Sequence, residues 1–227
     1  MADTALFDAW PERYEQWFQT PIGELVLKYE SDLIQELLRP AAGELILDTG
    51  CGTGIFTNNF LDAGAGVVGL DISTPMLQLA LRKAGKQDFS AVQGDMCCLP
   101  FANASFNKTV SITALEFVVD AKGAVAELFR VTRPGGVVVV ATLNSLSPWA
   151  VRRQAKTQRG EHHILEGAHY RSGADLLACT KVRGVAKTAV HFAKDEEPDQ
   201  AVKIEEEGQR RGLDTGAFVA VRWVKAK

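Results

Sequence analysis

The chain of 227 residues lacks an excess of either charge: 25 Lys and Arg stand against 28 Asp and Glu, a formal net charge of −3. No overall positive field draws in nucleic acid or an anionic membrane, which argues against a polyanion as partner. Cysteine is scarce. Cys51, Cys97, Cys98 and Cys179 show no paired CxxC spacing, and adjacent Cys97 and Cys98 are poorly placed to bridge each other. They read as reduced thiols of a cytoplasmic protein. Also missing is any run of 18 apolar residues, and Asp3, Asp8, Glu12, Arg13, Glu15 and Glu24 leave no apolar core for a signal peptide in the first thirty positions. A soluble protein without a membrane span is expected. Internal repeats and low-complexity tracts are absent too.

What the chain does hold is 46% hydrophobic residues, enough for one sizeable core. Apolar residues at Ile22, Leu25, Val26, Tyr29, Leu33, Leu37 and Leu38 have the spacing of one helical face, ended by Pro40 and Gly43. Strand and helix patterns then alternate: strand 45–47, helix 55–61, strand 67–70, a helix from Thr74-Pro75 to Leu81 with Thr74 as cap, and strand 89–92. A strand at 109–113, a helix at 121–131 and a strand at 137–143 follow, the last with almost no polar interruption, as in strands buried on both faces. Gly135 and Gly136 read as a plain turn into that strand. Such alternation implies an α/β fold with a parallel sheet and helices on both sides. Residues 144–170 show no clear period and read as a functional loop. Ser172 with Asp175 forms a capping box for a short helix, and strands at "KTAVHF" and "GAFVAVRWV" flank a helix at 198–211 that Gly212 can end.

Chemistry concentrates at "ELILDTGCGTG", where a strand ends on Asp48 and breaks into Gly50, Gly52 and Gly54. Glycines between strand and helix let backbone amides approach a ligand closely. Ile55 stands where the dinucleotide fingerprint needs its third glycine, and no G-K-[ST] follows, so phosphate cradles fit poorly. A carboxylate at such a loop repels pyrophosphate and attracts an ammonium or sulfonium group. Asp48 alone could also be a helix cap. Asp71 ends the next strand, where an acid can accept from both hydroxyls of an unphosphorylated ribose. Asp95 follows the third strand and could take the exocyclic amine of adenine, with Met96 and Leu99 against the ring. Cys51, among acids, reads as a small filler rather than a reactive thiol.

In "LDTGCGTG", "VVGLDIS", "QGDMCCLPFANASFN" and "LFRVTRPGGVVVVAT" the chain resembles the class I S-adenosylmethionine-dependent methyltransferases, specifically the small-molecule branch with the ubiquinone/menaquinone C-methyltransferases. The resemblance covers roughly residues 45 to 142. It implies a Rossmann-like, doubly wound, seven-stranded sheet, mostly parallel with an antiparallel last strand. S-adenosyl-L-methionine is the implied cofactor and S-adenosyl-L-homocysteine its product. By resemblance, Asp48 and the Gly50 to Gly54 loop hold the methionine part, Asp71 the ribose, Asp95 and Met96 the adenine; Ile72 flanks the adenine and Thr113 faces the methionine. Asn103 and Asn107 depart from the family's usual aspartates. Residues 1–42 would form a helical lid, with Tyr14 as a contact, over a domain at 43–227 whose 144–170 segment meets the substrate. Tyr14, Trp17 and Phe18 otherwise read as a core stripe.

Methyl transfer asks a protein to align, desolvate and sometimes deprotonate the acceptor, so few catalytic residues are expected. "SITALEF" lacks the signature of enzymes that methylate amino groups of bases or glutamine. Glu116, His162, His163 and His169 are the candidate bases; the histidines could equally be surface residues or metal ligands, and no metal site is assigned. Arg152, Arg153, Lys156 and Arg159 form a basic run that reads either as a solvated helix face or as a grip on an anionic substrate. The expected function is methyl transfer to a small molecule. A non-catalytic module that binds the same cofactor is the alternative, and a nucleotide-dependent oxidoreductase is disfavoured by Ile55.

Overall fold

The computed structural model describes residues 11–159, 165 and 167–227. Helix α1 (Pro11–Phe18) and helix α2 (Pro21–Leu38) come first. Thr20 caps α2 by accepting from the Gly23 amide, and Pro21 takes the first turn, where no amide donor is missed. The buried stripe of α2, Val26, Tyr29, Glu30, Leu33, Ile34 and Leu37, includes one acid.

The alternation follows: β1 (Leu45–Thr49), α3 (Thr57–Asp62), β2 (Gly66–Asp71), α4 (Thr74–Ala84), β3 (Phe89–Gln93), β4 (Phe106–Ile112), a single 3-10 turn (Leu115–Phe117), α5 (Ala121–Val131) and β5 (Thr132–Leu143). After these come α6 (Pro148–Gln158), α7 (Gly173–Leu177), β6 (Gly184–Ala189), α8 (Pro198–Arg211) and β7 (Phe218–Val224). The seven strands lie in the order β3-β2-β1-β4-β5-β7-β6, parallel from β3 through β5, with β7 antiparallel to both its neighbours. This is the Rossmann-like doubly wound sheet with an antiparallel last strand.

Strand β5 shows why both faces are covered. Val137, Val139 and Ala141 belong to one buried core with α2, α3 and Trp149, while Val138 and Val140 belong to another with α5, Leu176 and Trp223. The strand order reverses between β1 and β4, which opens a crevice beyond their carboxyl ends, the place where such sheets bind ligands. Among the described residues no helix is long and apolar enough to cross a membrane, and the four cysteines are free thiols.

Several expectations are corrected. Ser73, not Thr74, caps α4, accepting from the Met76 amide. Helix α3 starts at Thr57 rather than 55, since the glycine turn occupies two more residues. Strand β4 begins three residues earlier than expected, at Phe106. Gly135 and Gly136 lie inside β5, in a bulge across which the register with β4 jumps from Phe106–Thr132 to Lys108–Val137. Part of 144–170 is a helix, α6, capped by Ser147 with Pro148 at its first position. Strand β6 ends at Ala189 because Val190 has a left-handed backbone, φ 64°.

Candidate active site

The crevice holds one cavity of about 560 Å³, in the usual size range of small-molecule sites. Its floor is the turn after β1. Gly50 and Gly52 have φ of 72° and 54°. A Cβ on Gly50 would lie 2.2 Å from the Ala114 Cβ, so the turn can press against the end of β4 only with glycine there. Beside Gly52 the space is open, which leaves its face to a ligand. Gly54 has a positive φ but lies against Ala80, outside the cavity lining.

The three acids expected to contact different parts of one cofactor sit in three different environments. Asp48 is 2% exposed, and its Oδ2 accepts the Thr57 hydroxyl at 2.6 Å. Burial pushes its carboxyl up to about 7, opposed by the Thr57 hydrogen bond and assisted by Asp71. Asp48 thus faces the cavity from within the protein rather than from an open mouth. Asp71 accepts from the Gly52 amide (2.8 Å) and the Ser73 amide (2.9 Å), tying the end of β2 to the glycine turn. Asp95 is exposed and accepts from the Cys97 amide at 2.8 Å. All three line the cavity, as do Ile72, Met96 and Thr113. Leu99 is buried elsewhere, in the second core. Thr113 has φ 47°, a strained backbone for a β-branched residue, and its amide donates to the Ala141 carbonyl at 3.0 Å.

Thr53 supplies an independent mark of a polar ligand. It is 1% exposed, lines the cavity, and its hydroxyl has no partner among the described residues. An orphaned buried hydroxyl beside an open glycine face suits a ligand with polar groups. The residues present fit a nucleoside cofactor carrying a cationic, non-phosphate substituent, with acids where a pyrophosphate would need amides.

At the other end lie residues of α2, the Leu115–Phe117 turn and α6. Glu116 is 0% exposed; its Oε2 accepts the Thr142 hydroxyl at 3.0 Å, while Oε1 has no partner among the described residues. Burial lifts its carboxyl to about 7, against hydrogen bonds and the nearby Arg171 charge. Glu30 is 6% exposed, lines the same cavity, and is raised to about 8 by burial and by Glu116, with Arg153 opposing. Sequence reasoning passed over Glu30. The signal was there: position 30 falls four after Val26 and four before Ile34, on the buried stripe. Trp17, Phe18 and Trp149 complete the walls, with Arg153 5.5 Å from the Trp149 ring centre and Lys194 5.5 Å from that of Trp17.

Of the histidine candidates, His169 is exposed and outside the cavity lining; its backbone amide donates to the Glu116 carbonyl at 2.7 Å and its carbonyl accepts from Arg171 at 3.1 Å. His162 and His163 lie outside the described residues, as does the Tyr14 side chain. The basic run divides. Arg153 reaches the cavity, whereas Arg152 pairs with Asp195 at 2.7 Å in solvent. Arg171, which the sequence did not single out, fastens the cavity wall: its guanidinium donates to the carbonyls of Leu115 and Val118, each at 2.7 Å. Cys51 is buried, its thiol pushed well up by burial and by Asp48 and Asp71, as suits a filler. Asn107 and Asn103 need no charge, since each amide oxygen accepts at 2.9 Å, from the Leu45 amide and from Arg130. Among the described residues no cluster suits a metal ion.

Fold and cavity together define a doubly wound α/β protein with a ligand-sized crevice at its topological switch point. A family model described as a methyltransferase domain matches residues 47–140. The malonyl-[acyl-carrier protein] O-methyltransferase of Pectobacterium atrosepticum is 34% identical over 176 residues, 68% of this chain and 69% of that protein. The demethylmenaquinone methyltransferase of Renibacterium salmoninarum is 40% identical over 109 residues, 48% of this chain and 45% of that one, so the chain spans about half the length of that relative. Among solved structures, a methyltransferase from Thermotoga maritima described as a possible histamine N-methyltransferase superposes with a TM-score of 0.74 at 20% identity, covering 97% and 98% of the two chains. The chain belongs to the S-adenosylmethionine-dependent methyltransferases.

Proposed function

We propose that this chain is a cytoplasmic enzyme that transfers the methyl group of S-adenosylmethionine to a small-molecule acceptor bound between α2, α6 and the Leu115–Phe117 turn. One observation carries the reading: the acids of β1 and β2, the open face of Gly52, the orphaned Thr53 hydroxyl and the enclosed Glu116 all line a single cavity. Asp48 and the Gly50 to Gly54 turn would hold the methionine part, Asp71 the ribose, and Asp95, Met96 and Ile72 the adenine, with Thr113 facing the methionine. The cofactor supplies an activated methyl on a cationic sulfur. The protein's part is to exclude water, align the acceptor and take a proton from it where needed. The apolar and aromatic walls contribute the first; Glu116 is placed for the last. Residues 1–42 act as the lid on this reading, and 144–170 as the acceptor-side cover.

The acceptors printed in the relatives' names, malonyl-[acyl-carrier protein] and demethylmenaquinone, differ from each other, so they support the transfer and leave the acceptor open. Release of S-adenosylhomocysteine on incubation with S-adenosylmethionine and candidate acceptors tests the enzyme reading directly. Asp71→Asn should weaken S-adenosylhomocysteine binding about tenfold or more through lost charged hydrogen bonds, with the melting temperature kept within a few degrees. Unaltered affinity would remove Asp71 from the cofactor site.

A further inference from the structure

The acceptor end of the cavity has an uncommon charge arrangement. Its two most enclosed polar side chains are both acids, Glu116 at 0% and Glu30 at 6% exposure, on separate elements. Glu116 Oε1 has no partner, and the Glu30 carboxyl has no hydrogen bond among the described residues. The cations of the same cavity lie further toward solvent: Arg153 is half-buried and Lys194 exposed, each over an aromatic ring. Two acids facing one enclosed space raise each other's cost, as unpaired buried groups do. An arrangement so costly for the protein's own groups suits a ligand that relieves it.

We infer that the methyl acceptor is a primary or secondary amine whose nitrogen is held by Glu30 and Glu116 among Trp17, Phe18 and Trp149. This deepens the methyltransferase reading and rests on it. A carboxylate acceptor would be repelled as soon as either acid ionises, and a carbon or phenol acceptor would leave at least one carboxylate without a charged partner. An ammonium satisfies both through charged hydrogen bonds, while its alkyl part and its charge suit the aromatic faces. The charged groups facing the pair are each other, Arg153 beside Glu30 and Arg171 beside Glu116.

The step balances within these groups. The ammonium gives one proton to Glu116, and the freed nitrogen lone pair forms the N–C bond to the methyl. The C–S bond breaks with its electron pair left on sulfur, giving a neutral thioether and a methylated ammonium. Burial helps the first transfer, because carboxyls raised to about 7 and about 8 stand closer to an amine in basicity than solvated ones do.

The test is calorimetry on the full chain saturated with S-adenosylhomocysteine, titrated with phenethylamine, 2-phenylethanol and phenylacetate, then with butylamine, butanol and butyrate. Turnover on the same six probes is read as S-adenosylhomocysteine released from S-adenosylmethionine. An amine in at least one series should bind about tenfold or more tighter than its matched alcohol and acid, and should alone be methylated. Glu116→Gln and Glu30→Gln should each weaken that amine about tenfold while S-adenosylhomocysteine affinity stays within about twofold, which shows the fold intact. Cofactor binding with methylation of the alcohol or acid, or with no preference for amine, overturns the inference and leaves the methyltransferase reading standing. Failure to bind S-adenosylhomocysteine at all overturns both.

Discussion

Single residues set the terms of this site. Gly50 has a positive φ and no space for a side chain, so Gly50→Ala should cost at least about 2 kcal/mol in denaturant unfolding, from left-handed strain plus the clash with Ala114. Glu30 makes the sharper case. Its folded carboxyl titrates near 8 against an ordinary 4.5, so the native state keeps a proton that the unfolded chain has already lost. Its contribution to stability is therefore full below about pH 4.5 and falls as pH rises to about 8, by on the order of 3 to 5 kcal/mol. Glu30→Gln should flatten the fall in unfolding free energy between about pH 5 and 8, measured without ligand. An identical pH slope in the variant would mean that Glu30 is not held neutral in the folded protein.

At the scale of elements, the segment after β6 depends on one buried pair. Glu205 of α8 is 0% exposed and accepts from the Val190 amide (3.1 Å), the His191 amide (2.6 Å), His191 Nδ1 (3.1 Å) and Gln209 (2.9 Å). Burial raises its carboxyl, but these hydrogen bonds and the His191 charge outweigh that and leave it below the ordinary value; burial likewise lowers His191, which its bond to Glu205 nonetheless holds above the usual imidazole range. The pair fixes Val190 in its left-handed turn, and Val190 and Lys194 line the cavity. Glu205→Ala should lower unfolding free energy by about 3 to 5 kcal/mol, since it strands buried donors. Elements of this molecule were legible wherever local chemistry and burial agree: α5 and α8 occupy the spans their patterns predict, and Ser172 with Asp175 makes the capping box expected of it. Helix α6 escaped because its exposed face is dense in basic residues and hides the period, although Ser147-Pro148 is the same cap-proline start seen at Thr20-Pro21 of α2. The end of β6 was misplaced because a left-handed valine leaves no sign in a β-branched run. Of the residues that line the cavity, Gly50, Gly52 and the acids Asp48, Asp71 and Asp95 were readable from spacing along the chain, while Gly54 lies outside the lining. The burial of Glu30 was legible in the four-residue spacing of α2, but its meeting with Glu116 was not, because that depends on how α2 packs on the rest of the fold.

For the whole molecule, the reversal of strand order between β1 and β4 brings cofactor-side and acceptor-side residues into one crevice. Asp48, Glu116 and Glu30 are all enclosed there and all raised toward neutrality by burial. A cationic ligand draws such groups back to their charged forms, so binding of S-adenosylmethionine should release protons near neutral pH, and neutral S-adenosylhomocysteine fewer. Calorimetry in buffers of different ionisation enthalpy measures that difference. The central claim, that this crevice selects a cationic adenosine derivative free of phosphate, meets its most direct test in titration of the purified chain with S-adenosylmethionine and NAD. The account predicts saturable one-to-one binding of S-adenosylmethionine and none of NAD; binding of NAD in this crevice with no response to S-adenosylmethionine would contradict it.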